Sequence, residues 1–533
     1  MIHNRAWQLV YFIVFGLTGF CGIQGCTSQN DKQPIDEKVY SIIEEKWEPD
    51  FGSKANYRIS DTIASPNNIQ FDKEPTDFGI LTLPQAVALA TARNREYQTQ
   101  KDDLYIKALD LGLSRHAFEY QFFGGASTGY NADRNDEVVG IETKLGFNRL
   151  LAGGTRISTE LALAWVDVLT GNMRSGLTSI LSVAVTQPLL RGSDRRVVLE
   201  NLTQAERDTL YQIRSFNRFR QVFVVSVVSQ YYRVLQRFDI LKNAERNYIT
   251  LDWFCERVED LADAGRLPLL EFDQVRQERL QAVNTYSLAE KEYQQALDEF
   301  KITLSLPATT EIQLNQDEFE ALKEAQMAKL DYSEDQTVED SLRQRLDVAN
   351  SADAVIDAER KVFVAADGLR ADLNLVGTTS VISSRRADRR SVDWLREEYG
   401  IGIEFDLPLD RVAEQNVHRK ALITLSQRQR EYEQVTDLVT LEVRQAYRDF
   451  TEAAERYKVS LEAFNLAQSR FDNTFTLLQY GKASSRRVLS AQNDLFETHN
   501  DMVQALLDYR IATLNFYRDT GAIQVLPDGM WKL

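Results

Sequence analysis

Two very long stretches with few helix breakers constrain this chain more than any other feature of its sequence. The stretch between Gly192 and Gly265 contains neither glycine nor proline, and from Ile403 to Thr520 the only glycine is Gly481. A helix rises 1.5 Å per residue, so one helix over the first stretch would be ~108 Å long. An isolated glycine in such a run marks a turn of the backbone. The sequence therefore predicts two long helical hairpins that turn at Gly265 and Gly481.

Each predicted turn is followed by a second run without breakers, from Leu269 to Leu306 and from Lys482 to Thr520. The register that aligns the two turn glycines also aligns identical residues of the return helices: Ala289 with Ala505, Tyr293 with Tyr509, Ala296 with Ala512 and Phe300 with Phe516. We interpret the chain as an internal duplication. The alternative is two similar coiled-coil segments with strand inserts, since long heptad-like helices resemble each other in composition.

Before each long helix the hydrophobic period drops to two, which is typical of strands. In the first half this zone covers about residues 118–190 and shows up to four strand-like runs, among them "VVGIETKLGF", "RISTELALAW" and "LSVAVTQPLL". In the second half it covers about residues 368–408, where Ile401, Ile403 and Phe405 alternate with small or acidic residues. The predicted order in both halves is helix, strands, long helix, glycine turn and return helix.

If each half supplies two membrane-spanning strands, one chain cannot close a barrel. Four strands leave two open edges, and an open edge is not viable inside a bilayer. Membrane barrels usually contain eight or more strands, a number that three copies of the chain would supply.

The N-terminus has the anatomy of an export signal. Arg5 precedes an apolar stretch from Trp7 to Phe20, and the segment Ile23-Gln24-Gly25-Cys26 resembles a bacterial lipobox. We therefore predict a signal peptide over residues 1–25 and lipidation of Cys26. The alternative is an ordinary cleaved signal with an incidental cysteine, and either interpretation implies export. The following residues up to 80 are polar and interrupted by proline, so they are predicted to form a tether with little core of its own.

Composition and motifs exclude several classes of function. The formal net charge of −17 argues against nucleic acid as a partner. Three cysteines do not make a disulfide framework, and the four histidines have no metal-ligand spacing. The sequence contains no nucleophile elbow, phosphate-binding glycine loop or HExxH motif. We predict no catalytic residues, no metal site and no cofactor, so the protein is not expected to be an enzyme.

Three segments in order resemble one known family. The first is Leu81-Thr82-Leu83 followed by Ala86, Ala90 and Asn94, the second is "TQPLLRG" at 186–192, and the third is "YGKASSRRVLSAQNDL" at 480–495. Together they resemble the TolC-like outer-membrane efflux proteins. The resemblance implies a homotrimer with a twelve-stranded outer-membrane barrel on a helical tunnel across the periplasm. It also implies contact with outer-membrane lipids, a periplasmic adaptor (membrane fusion) protein and an inner-membrane pump of the resistance-nodulation-division or ABC type.

The expected fold is therefore mainly α with membrane β, internally duplicated, and assembled as a trimeric 12-stranded β-barrel on a periplasmic α-helical barrel. That family needs two strands in each half, so the surplus runs within 118–190 are expected to form a longer external hairpin. The expected segments are a signal peptide (1–25), a lipidated N-terminal tether (26–80), a first repeat (81–307, tip near 265), a connecting segment (308–337), a second repeat (338–521, strands about 368–408, tip near 481) and a C-terminal tail (522–533).

The resemblance also suggests roles for residues at the hairpin tips. Family tips often carry an acid on one turn and a basic residue on the other, which hold the tunnel closed. Here we expect an ion-pair gate between Glu271 or Asp273 and a basic partner, Arg486 or Arg487, with solvated charge at a helix start as the alternative. The turn glycines themselves, at 265 and 481, are the expected adaptor contacts, because glycine lets another backbone approach closely.

The function that this resemblance implies is passive conduction of small molecules, such as drugs, metals or other toxic solutes, from the periplasm to the exterior. Two alternatives stay open from the sequence. The chain could be the outer-membrane component of a type I protein secretion system, or a structural coiled-coil lipoprotein without a channel.

Overall fold

The computed structural model of the chain describes residues 32–59, 80–132, 137–170, 176–324, 327, 333–386, 393–480, 482–526 and 529–532. The predicted signal peptide, the predicted lipidation site Cys26 and the turn glycine Gly481 lie outside these ranges. Within the described ranges, no helix combines the length and the apolar character that a membrane span requires.

Helices account for most of the described chain. In chain order they are α1 (Lys32–Lys46), α2 (Leu83–Arg93), α3 (Arg95–His116), α4 (Arg195–Val198), α5 (Glu200–Asp263), α6 (Leu269–Thr303), α7 (Asp317–Glu324), α8 (Glu334–Gln344), α9 (Leu346–Asp367), α10 (Val412–Gln479) and α11 (Ser485–Asp519). The strands are β1 (Ile80–Leu81), β2 (Gln121–Ala132), β3 (Glu137–Leu150), β4 (Arg156–Thr170), β5 (Gly176–Pro188), β6 (Gln313–Leu314), β7 (Asp372–Arg386), β8 (Asp393–Asp406), β9 (Gln524–Val525) and β10 (Trp531–Lys532).

The long strands form one sheet that both halves of the chain share. Its order is β2-β3-β4-β5-β7-β8, and every neighbouring pair is antiparallel. The first half therefore supplies four strands to the sheet and the second half supplies two. The expectation of two strands from each half, which underlies the twelve-stranded barrel, is wrong for the first half.

The turn between β3 and β4 shows where the surplus strands lie. Gly154 in this turn has φ +81°, and a Cβ atom built on it would lie 2.7 Å from the carbonyl oxygen of Gly192 and 2.8 Å from Pro188. The turn thus packs against the segment where β5 ends and α4 follows, which we call the helix end of the sheet. β3 and β4 run the full length of the sheet, so the expectation of an external hairpin is also wrong.

The two helical hairpins have the same geometry. α6 and α11 are both 35 residues long, and α5 and α10 have 64 and 68 residues. In the first turn the amide of Arg266 donates to the oxygen of Leu261 at 2.9 Å, and in the second the amide of Lys482 donates to that of Leu477 at 2.8 Å. Such a bond across a helix C-terminus satisfies a carbonyl that the helix leaves free.

The helices that lead into the strands also repeat. α2 and α8 both have 11 residues, and α3 and α9 both have 22. The break between them falls at Asn94, with ψ 130°, and at Arg345, with ψ 125°. Asn94 Nδ2 donates to the carbonyl of Thr303 at 2.9 Å, and Arg345 Nη1 lies 3.4 Å from that of Asp519. Each break is thus tied to the end of a return helix.

The hairpins pack side by side in the order α6, α5, α11, α10, because α5 contacts both α6 and α11 and the latter also contacts α10. Closer to the sheet the neighbours are α3, α5, α9 and α10. In the order α6, α5, α11, α10, the two outer helices are α6 and α10. Each of them therefore has one side without a neighbouring helix among the described residues.

The described part of the predicted tether, residues 32–59, belongs to the main core. Ile43 and Trp47 on and after α1 are 1% and 3% exposed and pack in the largest hydrophobic cluster. Trp47 Nε1 donates to the carbonyl of Gly52 at 2.9 Å, and Ser53 Oγ donates to that of Val525 in the C-terminal tail. The prediction of a tether with little core is wrong here, since the aromatic residues outweigh the polar composition.

The end of α6 yields a first testable expectation. Ser305 has φ +54°, and Gly521, at the equivalent position after α11, has φ +78°. A left-handed conformation costs an L-residue about 1–2 kcal/mol, which glycine avoids. Ser305→Gly should therefore raise the free energy of unfolding by about 1 kcal/mol, measured as a higher denaturation midpoint in detergent.

The matched control is Ser287→Gly, an exposed position within α6. It should lower the free energy of unfolding by about 0.5 kcal/mol, since glycine is less favourable than serine inside a helix. A destabilised Ser305→Gly variant would contradict the strain at this position.

Candidate functional site

The sheet has one apolar face that extends over all six strands. Because partners in a ladder point to the same side, the observed registers place every second residue of each strand on a common face. The exposed large apolar side chains of the described sheet all lie there: Phe122, Tyr130, Leu145, Leu161, Leu163, Leu181, Val185, Leu375, Tyr399, Ile401, Ile403 and Phe405. A soluble protein seldom exposes an apolar patch of this extent, so the face fits a hydrocarbon phase.

The opposite face carries mainly small, polar and charged residues, with a few apolar ones such as Phe123 and Ile180. It includes Ser127, Glu142, Lys144, Ser158, Glu160, Ser182, Thr186, Thr378, Ser380 and Glu404. Lys144 Nζ lies 3.1 Å from Glu142 Oε1, so charges on this face pair with one another. One apolar and one polar face is the pattern of a sheet that separates hydrocarbon from water.

Aromatic residues mark the helix end of the apolar face. The rings of Tyr120 and Phe147 are 5.4 Å apart, and the guanidinium of Arg149 lies 4.3 Å above the Tyr120 ring. Aromatic girdles flank the apolar band of membrane barrels. Tyr130 lies farther along β2 on the same face, ~26 Å away along the normal for strands tilted by ~40°. This height agrees with an apolar band of about 25 Å.

The sheet is open at both sides. Among the described strands, β2 and β8 each have one hydrogen-bonded neighbour, so each has a row of backbone groups without a partner strand in the described sheet. Unpaired edges are templates for pairing with another chain.

The flanking helices also present apolar surface away from their own chain. α10 carries an apolar stripe of exposed residues, Val412, Ile423, Leu441, Val459, Leu466 and Leu477. Successive members of the stripe are separated by close to whole numbers of helical turns, so they share one face. That face is opposite to Val443 and Phe450, which are buried in the chain's own core. On α6, Leu269, Leu280 and Ile302 are likewise exposed.

Both hairpin turns lie at the same end of the molecule. Leu267, next to the first turn, and Leu478, just before the second, pack on one hydrophobic cluster built around Phe254 and Leu489. Gly265 is exposed with φ +65°, and no atom lies within 4 Å of a Cβ built on it. Another backbone could therefore approach Gly265 closely. The adaptor contact at Gly265 and Gly481 stays a prediction, and Gly481 lies outside the described residues.

The four residues of the predicted ion-pair gate lie in the first turns of α6 and α11 or just after. Asp273, Arg486 and Arg487 are exposed, and Glu271 is half-buried with its amide donating to the carbonyl of Pro268 at 3.0 Å. Among the described residues no ion pair joins the two acids to the two arginines within one chain. The gate stays a prediction, and its partners would have to meet between copies of the chain.

Sequence reasoning missed exposed apolar residues at the hairpin ends. Leu269 and Leu270, directly after the first turn, are 70% and 69% exposed, and Tyr480 beside the second turn is 72% exposed. The motif "LPLL" after Gly265 could have revealed them, because a hydrophobic run at an exposed turn lacks a structural reason.

Charged residues hold the helical wall together. His499 Nε2 of α11 lies 2.9 Å from Asp239 Oδ2 of α5, and Lys323 Nζ of α7 lies 3.5 Å from the other carboxylate oxygen. Burial raises the pKa of Asp239, but the bond with His499 and the charge of Lys323 outweigh burial and hold that pKa below its usual range. Across the described ranges, no group of three or more His, Cys, Asp or Glu residues is placed to hold a metal ion.

A second buried charge stands at the break before α9. Arg345 is buried, and its guanidinium lies 2.6 Å from both Asp347 Oδ2 and Glu442 Oε2 of α10. Burial raises the pKa of Asp347, but the hydrogen bonds from Arg345 reverse this and lower it. Arg345 therefore fastens the second half's leading helices to the long helix of the same half.

Residues 337–522, which include the apolar stripe of α10 and the second turn, match the family model described as "Outer membrane efflux protein". Over these residues the chain is similar to that family. A search of curated proteins gives no match.

Solved structures of outer membrane proteins share the fold. The CmeC outer membrane channel of Campylobacter jejuni is 15% identical with a TM-score of 0.58, and the match covers 82% of this chain and 85% of that one. The MtrE outer membrane channel of Neisseria gonorrhoeae is 13% identical with a TM-score of 0.57, and the match covers 82% of this chain and 88% of that one. The outer membrane protein VceC of Vibrio cholerae is 11% identical with a TM-score of 0.58, and the match covers 82% of this chain and 96% of that one.

The predicted gate can be tested by charge reversal. If Arg487 pairs with Glu271 or Asp273 of another copy, Arg487→Glu should increase the conductance of the closed state in planar lipid bilayers. One exposed ion pair contributes only about 0–1 kcal/mol. Because every copy in the assembly would lose its pair, the losses add, and the increase in conductance should be several-fold.

The matched control is Arg430→Glu, which makes the same charge change at an exposed site of α10 far from the turns. Equal closed-state conductance in Arg487→Glu, Arg430→Glu and the unchanged protein would reject the gate and favour solvated charge.

Proposed function

We propose that three copies of this chain form the outer-membrane exit duct of a tripartite efflux system. The duct conducts small molecules, such as drugs, metals or other toxic solutes, passively from the periplasm to the exterior. The observation that supports this most strongly is the sheet with one apolar and one polar face, which continues directly into two long hairpins. Such a sheet needs lipid on one side and water on the other.

Assembly from several copies is supported by what each chain leaves unpaired. The sheet ends in two open strand edges, and the α10 stripe and the apolar residues of α6 face away from their own chain. These features lie on opposite flanks, so α6 of one copy can pack on α10 of the next. A ring of copies buries both in one step, which satisfies the backbone of the sheet and removes the apolar helix surface from water.

The other components of the proposed efflux system would contact the two ends of the molecule. The hairpin ends, with Gly265, Gly481 and the exposed Leu269 and Leu270, are the proposed contact for a periplasmic adaptor protein. That adaptor would connect the duct to an inner-membrane pump of the resistance-nodulation-division or ABC type. Lipidation of Cys26 would add an anchor in the outer membrane next to the inserted barrel.

The alternatives predict different observations. A structural coiled-coil lipoprotein needs no sheet with an apolar face, so the six strands disfavour that interpretation. A type I secretion duct would share the whole architecture and differ only in its inner-membrane partner and cargo.

The function is tested in the native host with a fluorescent cationic dye as the probe. Deletion of the coding sequence should raise dye retention several-fold, and expression of the full chain should restore efflux. Unchanged retention, together with loss of a secreted protein from the medium, would replace efflux by protein secretion.

The assembly is tested on the apolar stripe of α10. Leu441→Glu combined with Leu466→Glu places two charges where a neighbouring copy should pack, and burying an unpaired charge is strongly unfavourable. The double variant should lose the trimer that resists SDS without heating, and with it the conductance in planar bilayers.

The control is Asn465→Glu, which adds a charge at an exposed polar position of the same helix outside the stripe. It should keep the trimer. A stable trimer in the double variant would place the stripe outside the interface.

A further inference from the structure

The strand count of this chain bears directly on the barrel that it can form. The described sheet has six long antiparallel strands, and the apolar face runs without interruption from β2 to β8. A closed barrel made of three such sheets has more strands than the twelve expected from the family resemblance.

We propose that the trimer closes as a barrel of eighteen strands, six from each copy, in which β8 of one copy pairs with β2 of the next. The proposal rests on the trimeric duct proposed above and specifies its membrane part. The partner of each open strand edge is another copy of this chain.

The strand directions permit this pairing. β2 leaves the helix end of the sheet directly after α3, and β8 returns to the helix end directly before α10. Adjacent strands alternate in direction through the whole sheet, so β8 and the β2 of a neighbour run antiparallel. Every pair in the closed barrel would therefore have the same antiparallel geometry, as membrane barrels require.

The surplus strands have the features of barrel strands rather than of an external loop. Leu145 and Phe147 on β3 and Leu161 on β4 lie on the apolar face, in register with Leu181 on β5. An external hairpin in water would have no reason to continue that face. The turn at Gly154 packs at the helix end against Pro188, which requires that β3 and β4 traverse the same thickness as β5.

β2 is joined firmly to β3, so it is a real edge of the sheet. An unbroken series of residue pairs from Gln121 to Ala132 links the two strands without a register shift. The ring of Phe123 covers Gly146 on the polar face, where a Cβ atom would lie 2.5 Å from the ring. An aromatic side chain over a facing glycine is a known device that pins the register of paired strands.

The width of the sheet also fits the helices below it. Four neighbouring helices at ~9–10 Å spacing occupy an arc of ~36–40 Å. Six strands at ~4.8 Å spacing and ~40° tilt occupy ~37 Å, whereas four occupy only ~25 Å. Eighteen strands give a barrel of ~36 Å diameter, against ~24 Å for twelve at the same tilt.

The test is disulfide trapping across the edges in the full-length protein, with the buried Cys255 replaced by Ala. One cysteine replaces Ile403 on the apolar face of β8. The second is scanned over the apolar-face positions of β2, at 122, 124, 126 and 128, because closure does not fix the register. The matched control series is scanned over β4, at 157, 159, 161 and 163, which would be the neighbouring edge in a twelve-stranded barrel.

Eighteen strands predict a covalent trimer after oxidation with at least one β2 position and with none of the β4 positions. Covalent trimers with β4 positions instead would overturn the proposal and leave the trimeric duct intact. An SDS-resistant trimer that is trapped by neither series would also overturn it, since the edges would not meet. Absence of any SDS-resistant trimer would reject the proposed assembly itself.

A second measurement locates the turn between β3 and β4. Gly153 is exposed, and no atom lies within 4 Å of a Cβ built on it, so Gly153→Cys should fold. In intact cells a membrane-impermeant maleimide should label it at least tenfold less than after permeabilisation of the outer membrane. Equal labelling in both would place the turn outside the cell and overturn the proposal.

Discussion

An unpaired strand edge cannot stay in hydrocarbon, because each free amide or carbonyl there costs several kcal/mol. In the described part of this chain, β2 and β8 are open edges of the sheet, and α6 and α10 carry apolar residues that the described core does not cover. In the proposed trimer, neighbouring copies cover these edges and helix surfaces. The shared sheet and the side-by-side order of the hairpins place the open edges on opposite sides of each copy.

The two halves of the chain share backbone conformations and backbone hydrogen-bond sites more than they share side chains. Asn94 and Arg345 are chemically different, yet each reaches the last carbonyls of a return helix at equivalent positions. Ser305 and Gly521 likewise share a left-handed backbone with different side chains. Geometry is thus preserved where identity is not, because hydrogen-bonded backbone sites accept several side chains that meet the same spatial requirement.

The long helices, their turns and the strand zones were predictable, because breaker-free runs and a period of two depend on local chemistry. The tethered N-terminus was predicted wrongly, because the burial of Ile43 and Trp47 depends on a groove that only tertiary packing creates. The surplus strands were seen in the pattern but placed wrongly, because the location of the turn at Gly154 depends on its contact with Pro188. The ion-pair gate stays a prediction, because contacts between copies of the chain cannot be derived from a single sequence.

The position of the turn at Gly154 has a consequence for the proposed duct. Because the chain enters and leaves the sheet at the helix end, each copy of such a duct can gain strands only in pairs. A threefold assembly then widens in increments of six strands. The proposed barrel can therefore change its diameter through the insertion of one strand pair, such as β3 and β4, without a change in the number of helices.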